Sequence, residues 1–315
     1  MSEELDELNR LFTSKNVEDV IKFYDHFDTA EQLIEWMRKR PSAPMQIYEE
    51  EGDKDIVVVI PTADHNSKLA KNCVENIFKG QQIIFVESNG PFFNYARSCN
   101  FGLKYALKYN PKWIVLSNDD IDSDDNINKL KLELSKIDKN NTSLVLPNVI
   151  LTYDAISKRR FPLFQFMILV MSHKKFYNNK LSYYISLYSK FLKLLLKFNA
   201  SYTVVGNKRG VKLRNRIVKT IFNKRIKSFM CVGYFQIFNA DFVRSSGGNV
   251  FDTIFINDFE DRDYSLRISD SKKRVVDYKI VPLGGGTQSL GKGLDRDFRD
   301  ILNLAYFNSK IKSNL

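Results

Sequence analysis

The stretch 155–240 contains no aspartate and no glutamate, although it carries 18 lysines and arginines. The formal net charge of +11 is therefore a property of one region. The rest of the chain holds 30 cations against 37 acids and is net acidic at about −7. Cysteine is scarce as well. Cys73, Cys99 and Cys231 stand at no metal-ligand spacing and cannot all pair, which argues against a disulfide framework or a zinc site and predicts a reducing compartment. Long apolar runs are also missing. The run at 161–171 is about a dozen residues, and that at 181–198 is broken by Lys190, Lys193 and Lys197, so neither reaches the roughly 20 residues of a bilayer span. The first residues, Met-Ser-Glu-Glu-Leu-Asp-Glu, are acidic and do not read as a secretory signal. The expectation is a protein made and kept in the cytosol.

What is present is a folded chain of 315 residues, 43% hydrophobic and 13% aromatic, enough for one large core or two modest ones. Residues 1–40 read as a helical, mostly solvated accessory element, with Asp28-Thr29 capping a helix that Pro41 stops. From Asp55 the pattern alternates: strand 56–60, helix 67–78, strand 82–86, helix 94–109, strand 112–117, helix 124–137, strand 143–146. Such alternation predicts an α/β fold with a mostly parallel sheet covered by helices on both faces. Further on come a strand over 230–238, a short helix ending at Gly247-Gly248, and a helix from Asp258. A strand over 274–281, a glycine-rich stretch at 284–286 and a helix over 294–311 complete the pattern.

The strand Trp113-Ile-Val-Leu-Ser117 stops on Asn118-Asp119-Asp120, with Asp122, Asp124 and Asp125 close behind. Open α/β sheets bind ligands beyond the carboxyl ends of their strands, where hard carboxylate oxygens can hold Mg²⁺ or Mn²⁺ against a phosphate. The competing reading is that Asn and Asp form a turn at the strand end and that Ser123 or Asp122 caps the next helix. A second cluster, Asn257-Asp258-Phe259-Glu260-Asp261-Arg262-Asp263, puts four acids in six residues. A cap with Asp258 and Asp261 in a first helical turn explains part of it, and a general base among them is the functional reading. Upstream, the strand 82–86 leads into Glu87-Ser88-Asn89-Gly90. The helix opening at Asn94 carries Arg97 and Asn100 among apolar neighbours, and such polar interruptions need partners.

The order of these pieces resembles that of family 2 glycosyltransferases with the GT-A fold, over roughly 56–150 and 230–289. The residues that carry it are Pro61-Thr62, Glu87 to Gly90, Asn100 and Gly102, Asn118-Asp119-Asp120, Gly247-Gly248, and Glu260-Asp261 within the run to Arg267. The resemblance implies that Asn118-Asp119-Asp120 takes the place of the family's Asp-x-Asp motif, with Asp120 the metal ligand and Asp119 on the ribose or the metal. It implies that Pro61, Thr62, Glu87 and Asn89 line the nucleotide pocket, with Arg97 and Asn100 contributing from the helix. Asp261, beside Glu260, would be the base of an inverting transfer. Asn118 departs from the family's first Asp, as in rhamnosyltransferase-like members. No His accompanies the glycine-rich stretch at 284–286, and Cys99 sits where many members carry an Arg, for which Arg97 would substitute.

The expectations are then a metal-dependent inverting glycosyltransferase with Mn²⁺ or Mg²⁺, a nucleotide-sugar donor and a glycan or lipid-linked acceptor. Four segments are expected: an N-terminal helical extension over 1–50, a nucleotide-sugar-binding half over 51–154, a basic and mainly helical insert over 155–229, and an acceptor half over 230–315. The cations of the insert, interleaved with Phe161, Phe164, Phe166, Tyr183, Tyr184 and Tyr188, suit the headgroup level of an anionic membrane and predict a peripheral protein on its inner face. One rival is a nucleic-acid-binding protein, which leaves both acidic motifs without a role. Another is a sugar-nucleotidyltransferase, whose glycine-rich loop is missing at 61–67. A nucleotide-sugar-binding protein without transferase activity is the third.

Overall fold

The computed structural model describes residues 2–147, 152–157, 181–195, 201–205, 226–230, 233–283, 290–291 and 294–314. The N-terminal helices are α1 (Ser2–Thr13), α2 (Val17–Phe23) and α3 (Ala30–Lys39), the last opened by a Thr29–Gln32 capping box. There follow β1 (Gln46–Glu50), β2 (Asp53–Thr62), α4 (Lys68–Asn72) running into a π-helical turn at Cys73–Ile77, and β3 (Gln81–Glu87). Next are α5 (Tyr95–Ala106), β4 (Trp113–Ser117), β5 (Ile121–Asp122), α6 (Ile127–Ser135) and β6 (Leu144–Pro147). The basic region contributes β7 (Thr152–Ser157), α7 (Leu181–Leu195), β8 (Ser201–Val205) and β9 (Ile226–Met230). The chain then forms β10 (Phe235–Asn239), α8 (Ala240–Ser245), α9 (Glu260–Arg267), β11 (Lys273–Val276), β12 (Val281–Pro282) and α10 (Leu294–Asn314).

Seven strands form one sheet in the order β1-β3-β2-β4-β10-β6-β11. Strands β3, β2, β4, β6 and β11 run one way, while β1 at the edge and β10 in the interior run the other. The β-branched run Ile56 to Ile60 explains why β2 is central: it is buried on both faces, as strands between two helical layers must be. Ile56, Val58 and Ile60 meet Ala70 of α4 and Leu130 of α6 on one side. Val57 and Val59 meet Ala96, Cys99 and Leu103 of α5 on the other. Gly102 lets α5 approach, since a Cβ there would stand 2.3 Å from a Val59 methyl.

The structure corrects one expectation. Residues 1–40 are neither solvated nor accessory. Leu8, Phe12, Phe23, Leu33, Trp36 and Met37 are buried in a separate helical core shared with Phe298, Ile301, Leu302 and Phe307 of α10. In the described part of the basic region α7 is accompanied by β8, β7 and β9, which form a three-stranded antiparallel sheet. That helix buries Leu187 and Leu194 in the N-terminal core. The apolar run at 161–171 and the glycine-rich stretch at 284–286 lie outside the described residues.

The helical core reaches the sheet through an irregular segment, 250–257, whose backbone joins no ladder. Side chains satisfy it instead. The buried Arg40 guanidinium donates to the carbonyls of Thr253, Ile254 and Phe255, each at 3.1 Å. Asn303 of α10 pairs with both backbone groups of Ile256 at 2.9 Å. Burial pushes the Arg40 pKa down to about 9, still far above neutrality. Arg40→Met keeps the stem but takes the guanidinium from all three carbonyls, leaving Asn94 as donor to Thr253 and Phe255 only, so it should lower stability by roughly 1–3 kcal/mol in urea denaturation. Amide exchange over 254–262 should quicken more than exchange in β2. Equal acceleration at both places would contradict the clamp.

Candidate active site

The carboxyl ends of β2, β3 and β4 and the start of β10 meet at one edge of the sheet, because β10 enters beside the end of β4 with Phe235 opposite Ser117. Thr62 ends β2, and its hydroxyl donates to Asp119 Oδ2 at 2.6 Å. Pro61 precedes it within the strand. Burial pushes the Asp119 carboxyl above the usual range, and the neighbouring Asp120 adds to the shift while the Thr62 hydroxyl opposes it. Beneath the turn, burial raises the Cys73 thiol to about 12, with Asp119, Asp120 and Asp122 contributing. This edge therefore carries an excess of negative charge. A divalent cation relieves such crowding, so Asp119 and Asp120 fit one, with further ligands drawn from water or a phosphate. The Asp120 carbonyl also accepts from the Leu283 amide at 2.8 Å, and β5 pairs with β12, which fixes the turn.

At the end of β3, Glu87 Oε2 accepts from the His65 amide at 3.0 Å and from His65 Nδ1 at 2.6 Å. Those two hydrogen bonds hold the carboxyl below its ordinary value. The imidazole stacks on Tyr48 with 3.6 Å between ring centroids, and its Nε2 lies 2.9 Å from Asn66 Nδ2. Asp64, His65 and Glu87 offer ligand atoms within 4.8 Å of one another, a metal-capable grouping that the sequence expectations omitted. Its legible signal was a histidine just past a strand end. Asn89 Nδ2 donates to the Ala63 carbonyl at 3.3 Å and braces the same loop.

The second acidic cluster divides into structural and unassigned members. Asp258 accepts from the Phe259 amide at 2.8 Å and pairs with Arg296 at 3.2 Å. Asp263 pairs with Arg267 at 3.1 Å and Lys310 at 2.7 Å. The expected Asp258 cap is absent, since Phe259 is the N-cap of α9, in a left-handed conformation at φ 72°. Two acids then remain. Glu260 is 6% exposed, its Oε2 has no hydrogen-bond partner among the described residues, and burial followed by the charges of Asp261 and Asp258 raises its pKa well above normal. Asp261 lies against Gly233, where an added Cβ would stand 3.0 Å from its Oδ2.

Tyr95 joins the two clusters, and the sequence expectations did not include it. Its phenol lies 2.7 Å from Asn118 Oδ1 and 3.1 Å from the Gly233 carbonyl, as donor to both. Its amide donates to Asn257 Oδ1 at 2.7 Å. Asn118, Gly233 and Asp261 are thereby brought to one place. Asn94 caps α5 through the Arg97 amide and donates to the Phe255 carbonyl at 2.8 Å. Asn100 is not brought to the site. Its amide is spent on the Phe251 backbone, at 2.8 Å and 2.9 Å, so it clamps rather than binds. Arg97 is half-buried, with burial lowering its pKa, and its guanidinium makes no ion pair among the described residues.

Comparison with protein-family models, with curated proteins and with solved structures finds no match to this chain. The site's chemistry rests on its own geometry.

Behind the second cluster, burial and the Asp258 charge push the Asp300 carboxyl up to about 8. The folded value lies above the unfolded one near 4, so the native state keeps a proton that the unfolded chain releases, and stability falls as pH rises from about 4 to 8. Asp300→Asn should make that decline shallower in denaturation series across this window. An unchanged slope would contradict the assignment.

Proposed function

We propose that this chain is a metal-dependent inverting glycosyltransferase of the GT-A type, moving a sugar from a nucleotide-sugar donor to a glycan or lipid-linked acceptor. The observation that carries this reading is the convergence at one sheet edge of the acids after β4 with Asp261, joined through Tyr95 and Gly233. An antiparallel strand, β10, inside an otherwise parallel sheet supports it by bringing the second half of the chain back to the end of β4.

On this reading Asp119 and Asp120 hold Mn²⁺ or Mg²⁺, which when bound supplies positive charge to the leaving nucleoside diphosphate. Thr62 orients Asp119 by its hydroxyl. Pro61, Glu87, Asn89 and the His65 loop form the nucleotide side, and the half-buried Arg97 adds positive charge from α5. Asp261 takes the proton of the attacking acceptor hydroxyl as the new bond forms and the sugar–phosphate bond breaks, which inverts the anomeric centre. Glu260 is buried beside it, with burial and the charges of Asp261 and Asp258 raising its carboxyl well above normal, and is the second candidate for that base.

The basic region remains the proposed contact with an anionic membrane surface, on the inner face, in a protein whose described residues include no helix long and apolar enough to cross it. Lys190 and Lys193 are withdrawn from that role. Lys190 bonds Asp25, and Lys193 lies 3.6 Å from Asp28, so both tie α7 to the N-terminal helices. The same pairing takes them away from a nucleic-acid groove.

A thermal-shift panel of UDP-, GDP- and dTDP-sugars with and without Mn²⁺ should show stabilisation that needs the metal, because a ligand that binds only the native state raises its stability. Asp120→Ala should abolish the metal-dependent part while the protein stays folded. Asp261→Asn should keep the donor shift and lower transfer by on the order of 10² or more. Metal-dependent donor binding that survives Asp120→Ala would refute the metal assignment, and full turnover by Asp261→Asn would refute the base.

A further inference from the structure

The loop after β2 folds across the end of β3, because the two strands run parallel with Thr62 opposite Glu87. It carries Asp64 and His65 to the Glu87 carboxyl, so that three side chains offer ligand atoms within 4.8 Å of one another. Two further observations point to a cation there. The first is charge. Among the described residues no lysine or arginine pairs with Asp64 or Glu87, so two carboxylates face a single imidazole. The second is the set of the ring. The imidazole lies flat on Tyr48 of β1, with 11° between planes, which keeps its Nδ1 edge turned to Glu87. Its other nitrogen, Nε2, is 2.9 Å from the Asn66 side-chain amide. A metal-bound imidazole carries its proton on that second nitrogen and needs an acceptor for it, which the Asn66 amide supplies once its nitrogen and oxygen exchange places. Asp64 Oδ1 accepts from the Asn66 backbone amide at 2.8 Å, which leaves Oδ2 for the ion.

We propose that Asp64, His65 and Glu87 form a second metal site, sharing no ligand with Asp119 and Asp120, which takes a borderline divalent cation such as Zn²⁺ through one imidazole nitrogen and two carboxylate oxygens. Water completes the shell. The proposal goes beyond the glycosyltransferase reading and does not rest on it. A nitrogen ligand favours Zn²⁺ over Mg²⁺, which prefers oxygen throughout, and Mn²⁺ is the weakest binder of its series at such a site. On binding, the cation takes the place of the proton between Nδ1 and Glu87 Oε2, and that proton moves to Nε2 or to solvent. The two atoms, now 2.6 Å apart, must separate to roughly 3.3 Å, the spacing of two ligands each about 2.0 Å from a tetrahedral ion. A small rotation of the Glu87 carboxyl supplies it. The bound ion ties the loop between β2 and α4 to the end of β3.

The test uses the full chain stripped of metal, titrated calorimetrically with Zn²⁺ in excess Mg²⁺, which an all-oxygen site takes up and a nitrogen ligand does not favour. Wild type, His65→Ala, Glu87→Gln and Asp120→Ala are compared, with circular dichroism to check that each is folded. Zn²⁺ should bind wild type and Asp120→Ala with equal affinity. Affinity should fall by on the order of tenfold or more in His65→Ala and in Glu87→Gln. The chain holds three histidines, His26, His65 and His173, so imidazole ¹⁵N spectra identify the ligand directly. The Nδ1 signal of His65 should move as Zn²⁺ saturates the protein. Absence of Zn²⁺ binding by wild type, unchanged affinity in His65→Ala, or a loss confined to Asp120→Ala would each overturn the site. Should a variant not fold, an unmoved His65 Nδ1 signal in wild type overturns it by itself. None of these outcomes decides the donor reading, which the Mn²⁺-dependent binding of nucleotide-sugars tests separately.

Discussion

The structure depends on how the backbone of 250–257 is satisfied away from any strand or helix. Buried peptide groups without partners cost about 1–3 kcal/mol each, so such a segment persists only where side chains replace the missing ladder. Here they come from three distant parts of the chain. Arg40 arrives from the end of α3, Asn94 and Asn100 from α5, and Asn303 from α10. The segment leads directly into Asn257 and Phe259, both at positive φ, and so sets where Glu260 and Asp261 emerge. The N-terminal helices thereby act on the candidate site without touching it.

Charge is distributed unevenly around that frame. In and near the second cluster several acids have cationic partners: Asp258 with Arg296, Asp263 with Arg267 and Lys310, and upstream Asp252 with Lys310. Asp119 instead has a hydroxyl and a neighbouring carboxylate, and Glu260 has a buried oxygen without a partner among the described residues. Raised carboxyl values at both places report the same physical situation, anionic groups drawn out of water beside other anions. Perturbed carboxylates that converge at the edge of a parallel sheet are a functional arrangement more often than a structural one, since structural acids acquire counterions.

Much of the sheet was legible because β-branched runs such as Ile56 to Ile60 and Ile83 to Val86 have no helical alternative, and because the acids after Ser117 mark a strand end. The reversed direction of β10 was not, since it depends on where the chain returns after the basic region. Residues 1–40 read as solvated because their apolar stripes were judged without a partner, and that partner, α10, lies more than 250 residues away in sequence. Asn100 read as a ligand group because a polar side chain on a buried helix face demands a partner. The partner proved to be the Phe251 backbone. Tyr95 gave no signal at all, since an aromatic residue near a helix start resembles any core residue until its hydroxyl is placed against Asn118 and Gly233.

The central claim is that the acids after β4 and those opening α9 line one site for a metal-bound nucleoside diphosphate. Paramagnetic broadening of amide signals by Mn²⁺ in the presence of UDP, GDP or dTDP tests it most directly. The account predicts broadening at 118–122 together with Gly233 and 258–262, lost in Asp120→Ala. Broadening confined to Asp64, His65 and Glu87, or absent from 258–262, would contradict it.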